Sequence, residues 1–412
     1  MTDLRPDIDD IRRAAADMQG VLNRTPLVRS VALGDELGAE IWLKLENLQV
    51  TGSFKARGAM IRLAALSEEE RSRGVIAMSA GNHAQGVAFH AGRMGIPATI
   101  VMPRHTPFTK VARTEAHGAT VELVGDDVAE AADAAARIAE ETGATFIHPF
   151  DDPQVIAGQG TVGLEMLEDC PDLDDIIVPI GGGGLIAGIA IAAAALRPET
   201  RVYGVQSDAY PFMQQALGRG QGTNARTEVG VAEGIAVKRP GALTQRIVGD
   251  LVPEIGLVSD NDIERAIQRL AEQEKIVAEG AGAAGVAAML ARPDGWRGRK
   301  VGIVICGGNI DSRLLSTILL RGLARDGRMA RLRITLPDKP GALASISALI
   351  GEAGANIVEI VHQRLFYDLP VRYAEVDVAL ETRNRRHVDK LIQILESRGF
   401  PARLAGGSDS AD

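Results

Sequence analysis

From Ile176 to Leu196 the chain reads IIVPIGGGGLIAGIAIAAAAL, 21 residues without a charge. That length matches the roughly 20 apolar residues that a membrane-spanning helix requires. Pro179 and the four glycines Gly181–Gly184 break such a helix, because proline removes a backbone donor and glycine loses the most backbone freedom on ordering. The segment divides instead into a short apolar strand, a glycine loop and an alanine-rich helix. An apolar strand feeding an apolar helix is a buried βα unit of a parallel sheet. Other elements must then cover both. The 412 residues supply them and exceed one compact core, so two or three domains are expected.

The same theme recurs along the chain. DIDDIRRAAADMQGVL has apolar residues at helical spacing, and IWLKLE alternates as a strand. VIAM, ATIVMP, TVELVG, FIHPF, IIVPI, VYGVQ and VGIVIC read as strands, with helical stretches such as HAQGVAFHAGRMG, KVARTEAHG and DVAEAADAAARIAEETG between them. Alternating strands and helices give an α/β fold with a mostly parallel sheet. Two groups, before and after about Phe150, predict two lobes with a cleft, the smaller over about 51–150 and inserted in the larger. The style changes after GLARDGRMA. LRITLP, ALASISALIGEAG, ANIVEIVHQRLF, VRYAEVDVALET, RRHVDKLIQILESRG and FPARLA spell βαββαβ, a separate ferredoxin-like domain. The expected division is a catalytic domain over 1–325, a linker over 326–330, the small domain over 331–405 and a disordered tail over 406–412.

Composition narrows the function. With 45 Lys and Arg against 54 Asp and Glu, the net charge of −9 argues against nucleic acid or an anionic membrane as partner. Two cysteines, Cys170 and Cys306, without a CxxC pair argue against a disulfide scaffold and a zinc site. A reducing, cytoplasmic setting fits, and MTDLRPDIDD lacks the apolar core of a signal peptide.

Four short stretches carry the chemistry. TGSFKARG places Lys55 among small residues, with Phe54 beside it. SAGNHAQG (Ser79–Gly86) and GGGGLIAG (Gly181–Gly188) each lie between a strand and a helix, and CGGN (Cys306–Asn309) ends the strand VGIVIC. Ligands of α/β proteins bind at the carboxyl ends of strands. A glycine run before a helix is an anion site, because the helix start carries open N–H groups and no Cβ blocks approach. No Lys-Ser or Lys-Thr follows, so it is not a P-loop. Gly182, Gly184 and Ala187 also match GxGxxA, with Asp208 as a ribose-binding acid, which keeps a nicotinamide-dependent oxidoreductase as an alternative. That alternative leaves Lys55 and SAGNH without a task. A lysine, a phosphate loop and a pocket for a flat ligand together suggest pyridoxal phosphate.

TGSFKARGA, SAGNHAQGVA, GGGGLIAG and CGGNID, in this order, resemble the fold-type II (tryptophan synthase beta-like) pyridoxal-phosphate enzymes, specifically the threonine dehydratase and serine racemase branch. LPDKPGALASISALIGEAGANIVEI resembles an ACT domain, an amino-acid-sensing module. The resemblance implies that Lys55 holds the cofactor as a Schiff base and acts as the base, that Phe54 packs on its ring and that Asn82 bonds the ring hydroxyl. It further implies that Gly181, Gly182, Gly183 and Gly184 hold the phosphate and that Cys306 faces the ring nitrogen, where the family usually has Ser. Ser79, Ala80, Gly81, Asn82 and His83 would receive the substrate carboxylate, although His83 reads equally well as a helix-start residue. Glu279 stands either near the ring or in solvent.

A thiol is a weak, neutral partner and does not keep the ring nitrogen protonated, which favours elimination over slow carbanion chemistry. The related racemases carry a Ser where Ala80 stands, and acids where Gln206 and Phe212 stand. The expectation is therefore no metal and one-sided chemistry: dehydration and deamination of L-threonine, with L-serine as a further substrate. Alternatives are a serine or 3-hydroxyaspartate dehydratase, a racemase-like enzyme and a catalytically silent sensor. Gly341, Ala342, Leu343 and Asn356 are the expected effector contacts, isoleucine the expected effector, and a homodimer or homotetramer the expected assembly. A purely oligomerising ACT domain is the alternative there.

Overall fold

A computed structural model describes residues 5–220, 230–363, 370 and 372–405. The expected tail 406–412 lies outside the described residues, as do residues 364–366 of the expected strand ANIVEIVHQRLF. The chain divides into two compact units, Met1–Ile310 and Asp311–Asp412. The helix Ser312–Arg325, which the sequence reading placed in the catalytic domain, thus falls in the second unit.

Among its described residues the first unit has ten strands: β1 (Leu27–Ser30), β2 (Glu40–Leu45), β3 (Val75–Met78), β4 (Ala98–Met102), β5 (Thr120–Leu123), β6 (Thr145–Phe146), β7 (Asp175–Pro179), β8 (Arg201–Ser207), β9 (Glu254–Val258) and β10 (Lys300–Ile305). They form two sheets. The larger has the order β1-β2-β10-β7-β8-β9, parallel except for the antiparallel β1–β2 edge. The smaller, β5-β4-β3-β6, is wholly parallel and comes from the chain between β2 and β7. These are the two lobes.

The uncharged segment behaves as its composition dictates. β7 is buried along its whole length, and the helix Gly184–Leu196 is buried from Gly184 to Ala193. Its partner is the helix Pro153–Asp169. A Cβ on Gly188 would stand 2.4 Å from the Ile156 carbonyl oxygen and 2.5 Å from Gly160 N, so the two backbones touch there. Small residues at that crossing let large neighbours such as Ile156, Ile186 and Ile189 bury fully, each worth about 1.5–3 kcal/mol.

One expected strand is cut short. FIHPF reads as a strand, but pairing ends at Phe146. His148 Nδ1 accepts the N–H groups of Phe150 (3.3 Å) and Asp151 (2.8 Å), which turns the chain, and Pro149 has no N–H to extend the ladder. That turn enters the site described below.

After the helix Ser312–Arg325, the second unit continues with β11 (Met329–Pro337), the helix Ala342–Glu352, β12 (Asn356–Gln363), β13 (Tyr373–Glu381), the helix Arg385–Ser397 and β14 (Ala402–Leu404). Its antiparallel sheet has the order β12-β13-β11-β14, the βαββαβ arrangement expected from the alternation. Leu332, Ile334, Val376 and Val378 meet Ile346, Ile350, Leu391 and Leu395 in one core. Among the described residues, no helix is long and apolar enough to cross a membrane.

Candidate active site

Lys55 opens the helix Lys55–Ala64. The chain reaches it through two consecutive left-handed residues, Thr51 (φ 63°) and Gly52 (φ 74°), an unusual conformation for threonine. Ser53 pairs with Gly307 across the lobes' junction, and Phe54 N–H donates to the Cys306 carbonyl at 3.1 Å. The lysine motif is therefore clamped to the end of β10.

The Lys55 amine is half-buried and donates to the Pro149 carbonyl at 2.7 Å. It stands 5.2 Å from the centre of the Phe54 ring. Among the described residues it forms no ion pair. Burial pushes it down to about 8, an effect that Cys306 and Glu279 partly offset. A lysine so placed is available as a neutral amine.

Asn82 begins the helix Asn82–Met94 at the end of β3. Its Nδ2 donates to Glu279 Oε1 at 2.8 Å, and its Oδ1 accepts from Asn309 Nδ2 at 2.6 Å. Glu279, left open by the sequence reading, is thus a half-buried member of the site rather than a solvent-facing acid. Burial pushes its carboxyl up to about 7. Cys306 is 2% exposed, and burial drives its thiol well above the usual range, so it stays protonated.

The glycine loop closes the other side. Gly183 is the left-handed N-cap (φ 97°) of the helix Gly184–Leu196 and leaves that helix start without a side-chain cap. A Cβ on Gly182 would lie 2.2 Å from the Phe150 ring, and one on Gly183 would lie 2.9 Å from Thr244 Cβ. Thr244 Oγ1 donates to the Gly182 carbonyl at 2.7 Å, and Asp151 Oδ1 accepts Thr244 N–H at 3.0 Å. The turn His148–Asp151 therefore links the lysine amine, through Pro149, to the glycine loop, through Phe150 and Asp151. The short turn Glu233–Ile235 also lies here: a Cβ on Gly181 would stand 3.2 Å from Ile235 Cα, and one on Gly234 3.4 Å from Glu279 Oε1.

In the Ser79–His83 loop, Ser79 Oγ accepts Gly81 N–H at 3.1 Å, and Gly81 caps the helix without a side-chain bond. Ala80 packs against the core of the small lobe. His83 turns inward: it is 4% exposed, its Nε2 lies 2.9 Å from the Ile147 carbonyl, and burial pushes it down to about 3. A neutral imidazole anchored on that strand end fixes the loop. Gln206, where acids were sought, is fully buried; its Nε2 donates to the Tyr210 carbonyl (3.1 Å) and its Oε1 accepts Gln214 N–H (2.9 Å).

Of the expected effector contacts, Gly341 (φ 85°) caps the helix Ala342–Glu352 with open space around it. Ala342 is buried and Leu343 packs against the domain's own core. Asn356 Nδ2 donates to Glu381 Oε2 at 3.0 Å, across the β12–β13 pair.

The residues fit pyridoxal phosphate. The lysine amine is held by a carbonyl rather than a carboxylate, Ser53 Oγ is buried with no partner among the described residues, and the glycine loop presents an uncapped helix start. Sequence reasoning missed Asn309, Pro149, Phe150 and Thr244. CGGN contained a signal for the first, since a polar amide follows two glycines at a strand end.

Comparison with known proteins agrees. Residues 18–307 match the family described as pyridoxal-phosphate dependent enzyme, and residues 330–399 match the ACT domain. An L-threonine ammonia-lyase of Thermotoga maritima is 47% identical over 399 residues, covering 97% of this chain and 99% of the relative. The L-threonine dehydratase catabolic TdcB of Escherichia coli K12 is 46% identical over 318 residues, 77% of this chain and 97% of the relative. Among solved structures, the processed form of threonine deaminase isoform 2 from Solanum lycopersicum superposes with a TM-score of 0.71 at 34% identity, covering 77% of this chain and 90% of that one. Maize serine racemase superposes with a TM-score of 0.71 at 36% identity, covering 78% and 98%. The chain belongs to the pyridoxal-phosphate dependent enzymes, with pyridoxal phosphate as the cofactor and an ACT domain C-terminal to the catalytic unit.

Proposed function

We propose that this chain dehydrates and deaminates L-threonine to 2-oxobutanoate and ammonia, with L-serine as a second substrate and isoleucine as effector at the ACT domain. The observation that carries the chemistry is the Lys55 amine: half-buried, not ion-paired among the described residues, lowered to about 8 and bonded only to a carbonyl. The threonine-acting relatives that match nearly the whole chain supply the substrate.

Bound here, the cofactor supplies an electron sink that acidifies the α-proton of an attached amino acid. Lys55 Nζ would anchor the cofactor and would be the base that takes that proton. The N–H groups of Gly181–Gly184 would hold the phosphate, and Phe54 would pack beside the ring. Asn82 Nδ2 would donate to the ring oxygen. Cys306 Sγ–H would be the neutral partner of the ring nitrogen. The N–H groups of the Ser79–Asn82 loop receive the substrate carboxylate, with His83 holding the loop from behind. Glu279 keeps a proton up to about pH 7 on the Asn82 side of the site. The Ala80 methyl carries no proton, which supports one-sided chemistry and elimination over racemisation. In the ACT domain, Gly341, Ala342, Leu343 and Asn356 mark the effector site, and its pairing makes the enzyme a homo-oligomer in the cytoplasm.

The test is release of 2-oxo acid from L-threonine by the purified protein, with and without isoleucine, using Lys55→Ala as control. Release that isoleucine suppresses, and that Lys55→Ala lacks, is expected. Release indifferent to isoleucine removes the effector assignment and keeps the lyase. Turnover by Lys55→Ala, or racemisation without release, overturns the mechanism.

A further inference from the structure

Asn309 has no part in the scheme above, yet its carboxamide sits between the lysine motif and Asn82. Its Nδ2 donates to the Thr51 carbonyl at 2.8 Å and to Asn82 Oδ1 at 2.6 Å. A backbone carbonyl accepts and never donates, so the atom that faces Thr51 is the NH2 of Asn309. Both of its hydrogens are then committed. The Asn82 atom that faces Asn309 is in turn the carbonyl oxygen, and the Asn82 NH2 points the other way. One of those two hydrogens goes to Glu279 Oε1 at 2.8 Å, and the second has no partner among the described residues.

The backbone is shaped to permit this chain. Thr51 presents its carbonyl from a left-handed conformation, φ 63° and ψ 7°. A Cβ on Gly52 would stand 2.8 Å from Asn309 Oδ1, so only glycine leaves room for the carboxamide. Gly308 N–H donates to the Gly52 carbonyl at 3.0 Å and holds the two loops in register. On the far side, a Cβ on Gly307 would stand 2.5 Å from Glu279 Oε1 and 3.2 Å from Asn82 Nδ2. Two glycines and one strained threonine therefore converge on a single three-residue amide relay.

We propose that Asn309 is a positioning residue: anchored on the Thr51 carbonyl, it sets the polarity of the Asn82 carboxamide, so that Asn82 keeps one N–H for the cofactor's ring oxygen. The inference rests on the reading of Asn82 given above. A carboxamide free to flip would offer that oxygen a lone pair as readily as a hydrogen. Asn309→Asp reverses the relay, because a carboxylate of the same size accepts where the amide donated. Asn82 would then turn its NH2 toward residue 309 and its oxygen toward Glu279 and the cofactor.

The experiment compares holoenzyme and cofactor-stripped forms of Asn309→Asp, Asn82→Ala and the double variant, with Asn309→Ala in place of Asn309→Asp if the latter does not fold. The readouts are the absorbance maximum of the bound cofactor and its affinity by equilibrium dialysis. Asn309→Asp should shift the maximum and weaken cofactor binding about 10-fold, the scale of one lost hydrogen bond to a buried partner. In the Asn82→Ala background it should add less than about 2-fold, because the two residues act as one unit. An unmoved spectrum and affinity in Asn309→Asp, when Asn82→Ala moves both, overturns the inference and leaves the Asn82 reading intact. Full effects that add in the double variant also overturn it, since Asn309 would then act through the Thr51 loop alone. An unmoved spectrum in Asn82→Ala overturns the ring-contact reading and this inference with it.

Discussion

At the scale of single residues, the site works by moving protons off their ordinary affinities. Lys55, Glu279 and Cys306 share one half-dry space, and each is pushed by burial toward its neutral form. For Lys55 the sign is useful. At pH 8 about half of this amine is neutral, against under about 1% for an ordinary lysine. Cofactor-stripped protein should therefore capture pyridoxal phosphate covalently at a rate that climbs with pH and reaches half its maximum near pH 8. Stopped-flow absorbance measures this directly, and a midpoint above pH 10 would contradict the burial argument. The lysine was legible from TGSFKARG. Its lowered affinity was not, because that comes from burial by elements that arrive from elsewhere in the chain, with Cys306 and Glu279 partly offsetting it.

At the scale of elements, the residues just after Lys55 hold the helix rather than the chemistry. Arg57 is 1% exposed. Its guanidinium grips Glu46 through Nε and Nη2, both at 2.8 Å, and Glu165 through Nη1 at 2.7 Å and Nη2 at 2.9 Å. Lys44 joins from β2, so two cations face two carboxylates. Burial works against the Arg57 charge, but Glu46 and Glu165 more than offset it and keep its pKa raised. Removing one member of such a cluster leaves a buried charge uncompensated, at a cost of about 3–5 kcal/mol. Arg57→Met should lower the thermal midpoint of cofactor-stripped protein by on the order of 10 °C. A midpoint within about 2 °C of the parent would mean that the carboxylates find other partners. Gly58 adds a packing constraint, since a Cβ there would stand 2.4 Å from Gln159 Nε2 and 2.8 Å from the Val155 carbonyl. Nothing in KARG itself marks Arg57 as buried, because Glu46 and Glu165 are 11 and 108 positions away.

At the scale of the catalytic unit, two lobes built on separate sheets meet around the lysine, and an exposed ion pair joins them at the rim. Lys110, on the small-lobe helix Phe108–Glu115, reaches Glu233 of the large lobe at 2.8 Å. Glu233 opens the turn that touches Gly181 and Glu279. The side chains are 32% and 58% exposed, so the pair is worth no more than about 1 kcal/mol and is screened by salt. Lys110→Ala should raise KM by up to about 5-fold in dilute buffer and by less in high salt. A salt-independent change would show that Lys110 acts through packing instead.

What the chain alone decides follows from local physics. Runs such as Ile176–Leu196 can only become a buried βα unit, and the two-residue alternation of the last strands can only become a one-sided sheet. Glycine loops at strand ends and a lysine among small residues point to a cofactor, since close backbone approach and an amine leave their mark within a few residues. The structure adds whatever depends on distance in sequence closing to contact in space. It turns His83 inward onto Ile147, draws Glu279 onto Asn82, stops the expected strand at Phe146 to bring Pro149 to the amine, and sets Asn309 between Thr51 and Asn82. Those contacts join residues tens to hundreds of positions apart, where neither periodicity nor spacing carries information and only the folded backbone fixes which donor meets which acceptor.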